Sequence, residues 1–115
     1  MPIEIPSIVA DLEPAESLYV ELLSFLDTLG AYRVEEKTTN VQVVSGRGPF
    51  LAIYPKKHLL RLNTILDRAM EGKRIVKTEQ VSAKTFNNEV DFKDSGQLDK
   101  ELKAWLKEAH DRVNS

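Results

Sequence analysis

The chain contains no cysteine. That absence removes disulfides, thiolate metal sites, iron–sulfur clusters and cysteine nucleophiles from its own chemistry, and it fits a reducing compartment. Glycine and proline are sparse, five of each among 115 residues, and no linker, low-complexity run or second domain is visible. Aromatic residues make up only 7% of the chain, and aromatics alternating with bases, the pattern of single-strand binders, are missing apart from Tyr54 and Phe50. No apolar run approaches the roughly eighteen residues that span a bilayer, and Met1-Pro-Ile-Glu-Ile-Pro6 lacks the basic and apolar regions of a secretion signal. A soluble, cytoplasmic protein with no membrane partner is expected.

What is present suits one ordinary domain. A chain of this length buries about two-thirds of the surface its unfolded form exposes. Its 42% apolar and 30% charged residues are those of a globular protein, outside the regime of disordered chains. The net charge of −2 conceals an uneven distribution. Residues 1–45 hold eight acids against two bases, residues 46–85 nine bases against three acids, and residues 86–115 seven acids against five bases. A basic middle segment can mark an anion-binding face. It can equally be neutralised by the acidic elements packed beside it.

Residues 1–12 mix Ile3, Ile5, Ile8 and Val9 with two prolines and show no period, which predicts an extended arm ahead of a single domain at 13–115. From Pro14, Leu18, Leu22, Phe25, Leu26 and Leu29 recur at helical spacing and Gly30 supplies a stop, so the spacing predicts an amphipathic helix. Tyr32–Lys37 and Asn40–Ser45 read as short strands. Gly46-Arg-Gly-Pro49 turns the chain into Phe50–Tyr54, whose apolarity at every position predicts a strand covered on both faces. After Pro55-Lys-Lys57, His58–Ile65 alternates, placing Arg61 and Asn63 on one face. Residues 66–73 have room for one or two helical turns. Arg74–Val81 and Thr85–Phe92 read as a hairpin, and a second amphipathic helix follows the capping pair Asp94-Ser95. It carries Leu98, Leu102, Trp105, Leu106 and Ala109, with Asp99–Lys103 and Glu108–Arg112 as supporting pairs. The resulting fold class is α+β: a mainly antiparallel sheet of five or six strands, hairpin-connected, with an N-terminal and a C-terminal helix packed on it.

Little in the sequence carries chemistry. His58 and His110 lack metal-ligand spacing and a neighbouring acid cluster, so no metal site is predicted. Adjacent Glu35 and Glu36 point to opposite faces of a strand and cannot act as a catalytic carboxylate pair. Gly46-Arg-Gly48 has neither phosphate-loop spacing nor a helix after it. Ser45, Ser82 and Ser95 lack a nucleophile elbow and suit turns or caps. What remains is a cationic set centred on Arg47, Lys56, Lys57, His58 and Arg61, the candidate anion-binding residues, with the arginines as forks and the lysines as point charges. An enzyme needs a cleft gathering Lys37, Arg61 and Glu89. No catalytic residue and no cofactor is assigned.

At Lys37-Thr38, Phe50, Pro55-Lys-Lys57, Leu60 and Leu98-Asp-Lys-Glu-Leu-Lys-Ala-Trp-Leu-Lys-Glu-Ala109, the chain resembles the bacterial domain-of-unknown-function family DUF5655. The resemblance implies the same order of helix, strands and closing acidic helix. Where the family motif ends in Ala-Tyr, this chain has Ala109-His110. The resemblance implies no established activity; members stand alone or beside other modules, some labelled as predicted transport proteins and some neighbouring nuclease-like domains. The sequence therefore points to a non-enzymatic binding module for an anionic partner, nucleic acid or a phosphate-bearing ligand. The alternative is a protein–protein interaction or homodimerisation domain that uses an apolar sheet face.

Overall fold

The valine-rich and alternating runs of the middle of the chain form six strands in a computed structural model that describes residues 5–10 and 12–114. They are β1 (Arg33–Glu36), β2 (Val41–Ser45), β3 (Gly48–Pro55), β4 (Leu60–Leu66), β5 (Ile75–Ser82) and β6 (Thr85–Phe92). All pair antiparallel, in the order β1-β2-β3-β4-β6-β5. With helices α1 (Ala15–Leu26) and α2 (Lys100–Asn114) this is a single antiparallel sheet carrying an N-terminal and a C-terminal helix, the α+β class expected.

Alternation assigns the faces. Leu60, Leu62, Thr64 and Leu66 of β4 are buried on one side, and their partners Leu51, Ile53, Val90 and Phe92 are buried with them. This side joins Leu18, Tyr19, Leu22, Leu23 and Leu26 of α1 and Leu102, Leu106, Ala109 and Val113 of α2 in one core. Burying a leucine or phenylalanine of this kind stabilises the fold by about 1.5–3 kcal/mol. Val9 belongs to the same core, and residues 7–10 turn back on the Pro6 carbonyl.

The uniform apolarity of Phe50–Tyr54 has a cause other than two covered faces. Register across β2 and β3 shifts between Val43, opposite Leu51, and Val44, opposite Pro49. Phe50 is the extra residue of this bulge, so Phe50 and Leu51 both enter the core. Only Ala52 and Tyr54 are left on the other face, opposite Asn63 and Arg61.

Residues 67–74 do not form the helical turns that composition allows. They cross from the end of β4 to the start of β5 on the helix side, with Met70 buried in the core. Their backbone is satisfied by a side chain instead of a helix ladder. Asn88, fully buried on β6, accepts from Met70 N (2.8 Å) and Thr78 Oγ1 (3.2 Å) and donates to the carbonyls of Thr64 (3.3 Å) and Arg68 (3.2 Å). The closing helix also begins later than expected. Asp94 and Gln97 form a capping box around a 3-10 turn at Ser95–Gln97, and the carboxylate that caps α2 is Asp99, which accepts from Leu102 N at 3.1 Å. Asp99 and Glu108 reach Arg74 and Arg68 across the fold, and the pair within α2 is Lys107–Asp111 at 2.8 Å.

Candidate binding face

Both helices lie on one side of the sheet, so among the described residues the other side is bare. Alternation places Gln42, Tyr54, Arg61, Asn63, Asn87 and Glu89 there, a polar set at the centre of the sheet. Ala52 and Asn63 are nonetheless only 5% and 8% exposed, sunk between the longer side chains around them. A cavity of about 270 Å³ opens over them, lined by Tyr54, Lys56, Arg61 and Asn63 on one flank and Glu79, Asn87 and Glu89 on the other. Asn87 also lines a second hollow, of about 450 Å³, which runs toward the β2–β3 turn past Ile65 and Thr85 to Arg47 and Arg112.

The basic middle segment divides by residue type. All four of its arginines are spent on the fold. Arg61 holds Asp91 through two bonds, Nε–Oδ1 at 2.7 Å and Nη2–Oδ2 at 3.2 Å, and this raises the guanidinium pKa. Arg68 grips Glu108 in the same two-pronged way (3.0 and 2.8 Å), and Arg74 bonds Asp99 (2.8 Å), Glu101 (3.2 Å) and the Gln97 carbonyl (2.7 Å) while lying over the Trp105 ring. Arg47 is drawn to the end of α2, its backbone N–H donating to Val113 O at 2.8 Å and its guanidinium to Arg112 O. There, the preceding Gly46 has φ +47°, and a Cβ on it would stand 2.0 Å from Val113 O, so the turn needs glycine. The lysines behave differently: among the described residues Lys56 and Lys57, with His58, are exposed on the β3–β4 hairpin and form no side-chain hydrogen bond or ion pair.

The five candidate anion-binding residues are therefore only partly together. Lys56, Lys57 and His58 share one hairpin and Arg61 follows them on β4, whereas Arg47 lies at the opposite end of β3. Arg61 and Glu89 line one cavity, but Lys37 lies in the β1–β2 turn, where it pairs with Glu35 at 3.3 Å. Glu35, held by Arg33 (3.0 Å) and Lys37, has its pKa lowered by those two bonds.

Sequence reasoning missed a buried polar cluster at the far end of the sheet. Ser45 Oγ donates to the Ala31 carbonyl (2.6 Å), Asn114 Nδ2 donates to Ser45 Oγ (3.0 Å), and His110 Nε2 stands 3.4 to 3.5 Å from all three groups. His110 is 6% exposed and meets Phe50 edge to face, with ring centroids 5.2 Å apart. A serine beside a histidine suggests a nucleophile, but here the hydroxyl proton goes to a carbonyl and both residues are buried. The cluster ties β2, residue 31 and the end of α2 together. The only advance signal was the histidine after Ala109.

Among the described residues no group of three or more His, Cys, Asp or Glu is placed to hold a metal ion, and no helix is long and apolar enough to cross a membrane. The family described as Domain of unknown function (DUF5655) matches residues 6–113. No curated protein and no solved structure matches the chain.

Proposed function

This chain belongs to the DUF5655 family, and on that premise we propose that it is a non-enzymatic binding module of the cytoplasm which takes an anionic partner, nucleic acid or a phosphate-bearing ligand, on the bare side of its sheet. The observation that carries the reading is the contrast between arginines and lysines. Arg61, Arg68 and Arg74 are neutralised by acids of the fold, while Lys56, Lys57 and His58 project from the β3–β4 hairpin with no partner among the described residues. Cations left unpaired at a hairpin tip keep their field for an anionic ligand. Lys56 also lines the rim of the central cavity, and Arg47 lines the second hollow that meets it at Asn87. A partner lying along the face thus meets unpaired bases at the hairpin end.

The test is a salt series. Binding of a single-stranded oligonucleotide should weaken steeply as salt rises, because phosphates neutralised by lysine release their counterions. Lys56→Ala with Lys57→Ala should lower the slope of log K against log salt by about 1 for each lysine removed. An unchanged slope and affinity in the double variant overturns this placement.

A further inference from the structure

The hollow at the centre of the bare face differs in chemistry from the hairpin at its edge, and the two share Lys56. Lys56 and Arg61 bring positive charge to the cavity wall and Glu79 and Glu89 bring negative charge, two against two, so the lining is formally neutral. Register sets these groups close together. Asn63 of β4 stands opposite Glu89 of β6, Asn87 of β6 opposite Glu79 of β5, and Tyr54 of β3 opposite Arg61 of β4. Directly opposed residues of an antiparallel pair have Cβ atoms about 5 Å apart.

A simple ion fits this hollow poorly. Inorganic phosphate would meet the carboxylates of Glu79 and Glu89, which form no ion pair or side-chain hydrogen bond among the described residues, and a cation would meet Lys56 and Arg61. The same mixture suits an uncharged ring whose edge carries both donors and acceptors. Carboxylates only accept and carboxamides do both, while Arg61, whose Nε and Nη2 are taken by Asp91, keeps Nη1 to donate among the described residues. Tyr54 and Arg61, side by side, are also the planar side chains on which nucleobases stack. At about 270 Å³ the cavity is smaller than the roughly 300–1,000 Å³ of pockets that enclose a drug-sized ligand, so it takes one ring system and leaves the rest of the molecule outside. Lys56 at the rim and Lys57 beyond it are exposed and unpaired among the described residues.

We propose that the anionic partner of the hairpin is a guanine nucleotide unit, with its phosphate on Lys56 and Lys57 and its base in this cavity; the assignment rests on the hairpin being the anion site and names what it takes. Guanine is the base that fits. It alone presents two adjacent N–H donors, N1–H and N2–H, which a single carboxylate accepts together, with O6 beside them for a donor. Glu89 provides that carboxylate, and the carboxamide of Asn63 or Asn87 donates to O6. Tyr54 and Arg61 supply the flat wall. The unit is the same whether it arrives as a free mononucleotide or within a single strand.

The experiment follows backbone and side-chain amide resonances of the folded protein during titration, at constant ionic strength, with guanosine 5′-monophosphate, uridine 5′-monophosphate and ribose 5-phosphate. The guanine nucleotide should bind at least tenfold more tightly than the other two, with saturable shifts at Asn63, Asn87 and Glu89 as well as at the hairpin, whereas ribose 5-phosphate should shift the hairpin alone. Glu89→Gln should remove the preference without weakening ribose 5-phosphate, and Lys56→Ala with Lys57→Ala should weaken all three, with resonances of the helices unmoved in both variants. A pentanucleotide of uridines with one central guanosine separates the sources: tighter binding than the mononucleotide assigns the unit to a strand, equal binding to a free nucleotide, and both agree with the proposal. Ribose 5-phosphate or the uridine nucleotide matching the guanine nucleotide, or Glu89→Gln retaining the preference, overturns the base site and leaves the hairpin reading standing. Hairpin resonances unmoved by every ligand overturn both.

Discussion

A few buried polar side chains decide how the apolar elements of this chain are arranged. Asn88 is the clearest, because its amide meets four groups that the crossing segment and its neighbours would otherwise leave unpaired. Asn88→Ala should lower the unfolding free energy by about 3 kcal/mol, read from denaturant titration, since removing one side chain orphans several buried groups. Asn88→Leu, which restores volume but no hydrogen bonds, should not recover it. The sequence shows Asn87-Asn88 only as two polar residues in an alternating strand. Alternation assigns them to opposite faces, but the role of Asn88 depends on a segment eighteen residues away that no local pattern places against it. Ser45, His110 and Asn114 illustrate the same limit, because a buried serine, histidine and asparagine read as turn, surface and tail until the ends of β2 and α2 meet.

Among the elements, strands and helices were legible because period is a local property: alternation sets β4 and β6, and the 3.6-residue spacing of Leu18, Leu22 and Leu26 sets α1. Their ends were less so. Asp94-Ser95 carries a capping signal that the chain spends on a single 3-10 turn, and Asp99 starts α2. The Leu102 N–H and then Arg74 hold the Asp99 carboxyl below its ordinary pKa. A carboxyl depressed in the folded state contributes stability above its unfolded pKa, about 4, and that contribution is lost as pH falls through the folded value. Asp99→Ala should therefore lower Tm at neutral pH, and the gap between the two proteins should narrow on acidification below about pH 4. Thermal melts by circular dichroism across that range check both. A constant gap would show that the cap acts through something other than its charge.

For the whole molecule, two helices on one side of a six-stranded sheet leave a bare face, and its chemistry decides what it can join. Arg61, Asp91, Glu89, Glu79 and Tyr54 make that face ionic and hollow, while the exposed large apolar residues among those described, Leu12, Val20, Val34, Val76 and Val81, are scattered over the start of the chain, α1, β1 and β5. Stable self-association favours a contiguous apolar patch. Sedimentation equilibrium at high concentration should accordingly return the 13.0 kDa monomer, and a concentration-dependent dimer would show that the ionic face, or an edge strand, pairs with itself. The sequence by itself determined the class of fold, the runs that become strands and the apolar stripes of both helices, because these follow from periodicities of two and 3.6 residues. Only the tertiary structure decided that β6 inserts between β4 and β5, that Arg61, Arg68 and Arg74 of the basic segment are consumed by acids far along the chain while its lysines are not, and that Asn63, Glu79, Asn87 and Glu89 line one cavity. Each of these depends on which distant strands become neighbours, and pairing between strands is set by the shape of the shared core rather than by anything local to either strand.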